Sequence, residues 1–326
     1  MHRLKQSILR VAPEWVVAAG LALIAIALSF VIHAPFRFPS EGAFLFIGFT
    51  YLIPFVLVSI WILLPLPFLN FRREFKRALR VILRQINYTL CFGIILVFHF
   101  HIKLWAPLIN PASYDHLYEA IDQKFFFWMN PLIFWRGQFH YNWLENLYFE
   151  VFLCMFLCSF IVHSLKSTNE FRRVFLASVL VQATGAVAYL IAPALGPFIY
   201  HHGVNDHVTQ AQQQMLATHQ ALVAGGLPWL KKNTGKYLVA GLAAMPSLHL
   251  AASFVFLWYA LKYCRWLSWF YWPGILWIIF EAMASRWHYG IDLVAGLILA
   301  YGCILGADRW MDAHEAATAP ESKIRQ

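Results

Sequence analysis

Two histidines carry most of the chemistry legible in this sequence. One lies in Met245-Pro246-Ser247-Leu248-His249, the other in Ser285-Arg286-Trp287-His288-Tyr289-Gly290-Ile291-Asp292. An imidazole attacks an electrophile or moves a proton near neutral pH, and a neighbouring carboxylate fixes which ring nitrogen keeps its hydrogen. His288 and Asp292 are four residues apart, a spacing that on a helix puts both on one face. Asp292 would then orient one nitrogen and leave the other free, the logic of a catalytic triad without its serine. Arg286 adds a planar fork of donors suited to a phosphate. In the other motif, Pro246 is expected in a first helical turn, where its missing N–H does no harm. Ser247 and His249 would sit among the unpaired backbone N–H groups of a helix start, which attract anions. The chemistry these groups suit is in-line phosphoryl transfer. One imidazole attacks phosphorus, the other protonates the leaving oxygen, and the helix starts with Arg286 stabilise the equatorial oxygens. The scheme needs no metal and no cofactor.

The elements that position these residues are membrane spans. The chain has 326 residues, of which 60% are hydrophobic and 13% charged, against roughly 45–50% and 25% in a soluble domain. That excludes a soluble enzyme. Crossing about 30 Å of hydrocarbon takes about 20 mainly apolar residues as helix, and eight segments approach this: 14–32, 44–66, 87–106, 143–163, 174–192, 248–264, 267–284 and 291–308. The expected fold is all-α and polytopic. Its parts are two accessory N-terminal spans in 1–67, a basic amphipathic segment at 68–85, a six-helix catalytic core in 86–309 and a tail from 310 to 326.

The net charge of +9 does not mark a nucleic-acid partner, because the 25 Lys and Arg lie between apolar spans. Seventeen fall in alternate connections and eight in the others, and the excess marks the cytoplasmic side. Both termini are therefore expected in the cytoplasm, and the starts of the sixth and eighth spans, with both histidines, on the outer face. Short tails without a retention signal lean towards a bacterial inner membrane. The outer segment 107–142, with Asp115, Asp122, Trp128, Trp135 and Arg136, suits an interfacial helix over the mouth of a site. Lys236, Lys231, Lys232 and Arg136 are candidate phosphate ligands from the outer loops. Glu281 near the end of the seventh span needs a partner if buried, and Arg286 is the expected one. His201, His202, Asp206 and His207 are set aside as a metal site, because adjacent ligands without a fixed helical frame make a poor cage. The five cysteines all lie in apolar runs and are read as core residues.

Pro-Ser-x-His at one helix start, followed about 40 residues later by His-Tyr-x-x-Asp at another, resembles the type 2 phosphatidic acid phosphatase superfamily. Within it, the pattern is closest to the branch of inositol phosphorylceramide and sphingomyelin synthases. The likeness spans roughly residues 87–308. It implies that His288 is the nucleophile forming a phosphohistidine, that Asp292 orients it, and that His249 is the acid for the leaving alcohol, with Ser247, Tyr289, Arg286 and Lys236 as substrate-binding candidates. The chain departs from the phosphatase pattern at Leu248, where glycine is usual, and at Ala282, where an arginine is usual. Leu248 and Tyr289 resemble the phosphotransferase branch instead. The expected partners are a phospholipid or lipid-phosphate donor and a lipid or sugar alcohol acceptor. A lipid phosphatase using the same site is the alternative, and a non-catalytic lipid transporter or scaffold is another.

Overall fold

The computed structural model describes residues 11–64, 71–139, 142–204 and 206–318, and among them every regular element is helical. In chain order these are α1 (Pro13–Ile32), α2 (Glu41–Leu63), α3 (Phe71–Ile109), α4 (Asp115–Phe125), α5 (Asn130–Arg136), α6 (Asn142–Lys166), α7 (Thr168–Ile191), α8 (Asp206–Tyr237), α9 (Leu248–Tyr263), α10 (Arg265–Ala284) and α11 (Gly290–Thr318). The expected segment ends near residues 1–10, 65–70 and 319–326 lie outside the described residues. The basic run from residue 71 onward is continuous with the third span as one helix, α3.

Local sequence explains several boundaries. Proline opens α1, where its lost N–H is not needed, and His33 closes it in the left-handed conformation with its N–H on the Ser29 carbonyl. Ser167 accepts a hydrogen bond from the Glu170 N–H at the start of α7, a Ser-x-x-Glu cap. Gly226, at φ 51, breaks α8 just before Pro228.

Among the described residues, seven helices are long and apolar enough to cross a membrane: α1, α2, α3 from Ala78, α6 from Asn146, α7, α10 and α11. The sixth of the eight expected spans is the exception. α9 has 16 residues, about 24 Å at 1.5 Å per residue, short of the hydrocarbon thickness. It is instead wrapped by protein: Leu250, Ala251, Val255, Tyr259 and Ala260 are fully buried, and α9 packs on α6, α7, α10 and α11. Large apolar side chains face outward from the neighbouring helices, among them Trp269 and Ile298. That is the pattern of a bundle solvated by lipid.

An aromatic core joins the two N-terminal spans to the rest. The Phe55 ring of α2 lies 5.6 Å from Phe160 of α6, 6.2 Å from Phe175 of α7 and 6.3 Å from Phe92 of α3. α1 packs along α3 and α7, and its Glu14 pairs with Arg172 at 3.3 Å. One core thus spans the whole described bundle.

Candidate active site

His288 and Tyr289 precede α11, so His288 and Asp292 do not share a helical face as expected. Asp292 is the third residue of the helix, and its Oδ2 accepts the Tyr289 N–H at 3.0 Å, the reach-back of a capping box. The same oxygen lies 3.4 Å from His288 Nδ1. Asp292 therefore reaches His288 from a cap, not across a helical face. The other two free N–H groups at this end are taken from outside: Asp122 of α4 accepts from Gly290 at 2.7 Å and from Ile291 at 3.3 Å. This corrects the expectation that the eighth-span start is open to an anion, because a carboxylate already occupies it. Burial pushes the Asp122 carboxyl up to about 6, against the lowering effect of its two backbone donors.

The other helix start is different. Pro246 lies ahead of α9, not in its first turn, and its peptide bond with Met245 is cis. Ser247 is the N-cap, but its side chain caps nothing, and its fully buried hydroxyl has no hydrogen-bond partner. His249 Nδ1 faces the Tyr148 hydroxyl of α6 at 3.2 Å, and its ring packs 4.7 Å from Phe152. Its Nδ1 is thus engaged from α6.

The two starts touch. The Ser247 N–H donates to the Asp292 carbonyl at 3.1 Å. Gly296, nearly two turns into α11, makes the crossing possible: a Cβ there would lie 2.5 Å from the Ser247 carbonyl oxygen. His249 and His288 thus stand at one end of the bundle.

His288 and Arg286 line a cavity of about 180 Å³ together with Asp122, Glu119, His201 and Phe126. Arg286 is in the left-handed region, φ 59, and its carbonyl accepts the Phe198 N–H at 3.1 Å. The neighbouring chain closes tightly around this turn. Gly196, at φ 122, has its Cβ position 2.8 Å from the Trp287 carbonyl oxygen, a place only glycine fills. Arg286 has a buried Nε without a partner and no salt bridge among the described residues. Burial lowers its proton affinity, while Glu119 and Asp122 raise it.

Three sequence expectations change here. Tyr289 does not face the cavity: it is fully buried, and its hydroxyl donates to Asp115 Oδ1 at 3.0 Å. Burial and that carboxylate hold its hydroxyl well above the usual tyrosine range. Glu281 pairs with Arg136, not Arg286, through Oε2–Nε at 3.0 Å and Oε1–Nη2 at 3.2 Å. Arg136 is therefore taken up by a buried carboxylate. Lys236 is exposed at the end of α8, with its ammonium 5.1 Å from the Tyr237 ring centroid, and does not line the His288 cavity. Lys231 and Lys232 are likewise exposed. His201 pairs with Glu119 at 2.8 Å.

A family model described as the PAP2 superfamily matches residues 115–306. The chain belongs to the PAP2 superfamily. The match begins at Asp115, after the third span, so it covers less than the 87–308 expected from the motifs. It contains both histidine motifs and the acidic helix α4. Membership in the PAP2 superfamily points to phosphatase or phosphotransferase activity on phosphate esters. No curated protein and no solved structure matches the chain.

The residues that sequence reading missed are the supports. Asp115 accepts from the Leu195 and Gly196 N–H groups at 2.9 Å each and from Tyr289. With Glu119 and Asp122 it forms an i, i+4, i+7 acidic stripe, a pattern visible in the sequence as one face of an amphipathic helix. Tyr148 had no such signal, being one of 14 tyrosines.

Proposed function

We propose that this PAP2 superfamily member is a membrane lipid phosphotransferase that works through a phosphohistidine on His288. The observation that carries the reading is the junction of the two helix starts, Ser247 N–H to Asp292 carbonyl, which holds both imidazoles at one end of the bundle. Asp292 faces His288 Nδ1, so Nε2 attacks phosphorus. As the N–P bond forms, the P–O bond to the donor alcohol breaks, and His249, protonated at Nε2, gives its proton to the leaving oxygen. In the second half His249 takes the proton of the acceptor hydroxyl, whose oxygen attacks phosphorus, and the N–P bond breaks. Arg286 and the uncapped start of α9 face the developing charge.

The cavity volume supports a lipid donor. At about 180 Å³ it is smaller than the roughly 300–1,000 Å³ that encloses a drug-sized ligand. It suits a phosphate headgroup whose tails remain in the bilayer. With α9 included as an eighth crossing shielded by its neighbours, the charge asymmetry supports an extracytoplasmic site with both termini in the cytoplasm. The phosphotransferase branch, with phosphoinositol or phosphocholine as the unit moved, is supported by Leu248 and Tyr289.

The test is a chase with headgroup-labelled phospholipid and polyprenyl phosphate donors on the purified protein, with and without diacylglycerol, ceramide or inositol as acceptor. Label is expected to move to an acceptor and to be trapped as an acid-labile adduct in the wild type but not in His288→Ala. Exclusive release of free phosphate would make the protein a phosphatase. Unchanged turnover in His288→Ala would remove the assigned nucleophile.

A further inference from the structure

We propose that the His288 cavity selects a donor whose phosphodiester carries a primary ammonium, a headgroup of the phosphoethanolamine type, with Glu119 as the residue that reads it. This rests on the functional reading above and takes the moved unit from the cavity lining, where the motifs alone suggest phosphoinositol or phosphocholine. The lining has two poles. Arg286 and His288 form one, suited to a phosphate. The other is the face of α4 that contributes Glu119, Asp122, Gln123 and Phe126. Two carboxylates in a cavity that handles phosphate weaken its binding, because like charges repel most strongly where water is scarce. A phosphate monoester, with up to two negative charges, meets this repulsion in full. A diester with a cation on its alcohol turns the same carboxylates into partners. The acidic face of α4 therefore favours one class of phosphate ester and works against the other.

The hydrogen bonds show which acceptors are left for a ligand. Glu119 Oε1 is shared by His201 Nε2 at 2.8 Å and Gln123 Nε2 at 2.9 Å. Its Oε2 accepts no hydrogen bond among the described residues, and only 15% of the side chain is exposed. Because the Gln123 amide nitrogen faces Glu119, its amide oxygen is left as a further acceptor. Asp122 takes one backbone N–H on each oxygen and keeps a lone pair on both. Arg286, the cation that could neutralise this pole from within the cavity, makes no salt bridge among the described residues. A primary ammonium brings three N–H donors to such a set of oxygens. A quaternary ammonium brings none and is recognised by a cage of aromatic rings, whereas Phe126 is the one Phe, Tyr or Trp in the lining. Even that ring is partly covered, since a Cβ on Gly290 would lie 2.5 Å from it. A neutral polyol would leave the Glu119 charge without a cation on the substrate. The pattern of acceptors thus points to N–H donors that carry charge.

Water-soluble glycerophosphodiesters of ethanolamine, choline, glycerol and inositol are the probes, with orthovanadate, a mimic of the five-coordinate phosphoryl centre, as an anion that has no ammonium. Each is titrated against the full chain in phosphatidylglycerol nanodiscs, with thermal unfolding as the readout, for the wild type and Glu119→Gln. Wild type is expected to bind the ethanolamine diester about ten- to hundredfold more tightly than the glycerol and inositol diesters. Glu119→Gln should erase that preference and bind orthovanadate as well as the wild type or better, because a repelling charge has been removed. Equal affinity of the wild type for the ethanolamine and glycerol diesters overturns the assignment. Equally tight binding of the choline diester overturns the primary ammonium. A merely structural Glu119 gives a lower unfolding temperature and weaker binding of every probe, with the preference intact, and that result also overturns it. Turnover of His288→Ala separates the two levels. If that variant is inactive while the wild type shows no preference for the ethanolamine diester, only the headgroup assignment falls. If that variant turns over like the wild type, the functional reading itself falls.

Discussion

At the scale of single residues, the site depends on which nitrogen of each imidazole is engaged. His288 presents Nδ1 to Asp292 at 3.4 Å, and His249 presents Nδ1 to Tyr148 at 3.2 Å. Each ring thus has a partner facing Nδ1, one a carboxylate and the other a phenol. The difference fits the proposed roles. A carboxylate stabilises the positive imidazole that forms when Nε2 gains a phosphoryl group, while a neutral phenol only fixes the ring and leaves the proton on His249 easy to give away. Asp292→Asn is therefore expected to lose on the order of 10³–10⁴ in kcat, with vanadate binding and unfolding temperature near those of the wild type. Full activity in that variant would reduce Asp292 to a capping residue. Tyr148→Phe removes one neutral hydrogen bond and is expected to lower kcat by about tenfold. A change in KM alone would show that Tyr148 contacts substrate and does not position His249.

At the scale of elements, the functional ends of the helices are built by neighbours. The start of α11 has no side-chain cap of its own at Tyr289, so Asp122 reaches in from α4 and Asp292 reaches back. This is why the His288–Asp292 relation was legible as spacing but its geometry was not. The four-residue separation suggested one helical face, whereas the helix begins only at Gly290. The supplier of the cap lies 168 residues away, and no local pattern announces such a contact. Asp122 also makes the cap sensitive to pH. Its folded carboxyl titrates at about 6 because burial disfavours the ionised form, whereas an unfolded aspartate titrates near 3.9. The folded protein thus binds the extra proton first. Stability associated with this group rises as pH falls from above 6 towards 4 and is lost again as pH rises through 6. Asp122→Asn keeps an oxygen for the two N–H groups but cannot titrate. The unfolding temperature of the wild type relative to this variant is expected to climb between pH 7 and pH 5, and a flat difference would exclude Asp122 as the titrating group. Asp122→Ala, which leaves both N–H groups unmet, is expected to lose about 0.5–2 kcal/mol of stability.

At the scale of the whole molecule, the membrane character and the pairing of the histidine motifs were readable from composition and spacing, because both follow from local rules. Long-range partnerships were not. A buried Glu281 requires a partner, yet it is not Arg286, only five residues away. The partner is Arg136, 145 residues distant on α5, and Arg286 is released to line the cavity. This ion pair fastens the short outer helix to α10, with Arg136 also donating to the Phe139 carbonyl at 2.7 Å and Ser285 donating to Glu281 at 2.8 Å. Both side chains are almost fully buried, 3% and 0% exposed. Breaking such a pair from one side strands a charge, whereas replacing both members with apolar groups of similar volume does not. Glu281→Leu alone is expected to lose about 3–5 kcal/mol and to loosen α5, which would be read as faster proteolysis between α4 and α6. Arg136→Met with Glu281→Leu together should recover most of that stability. If the double variant is as unstable as Glu281→Leu, the pair is not an isolated clamp, and the network through Ser285 into the Arg286 turn is what holds the outer layer. In that case the loss of stability and the loss of activity would appear together, because the same turn carries His288.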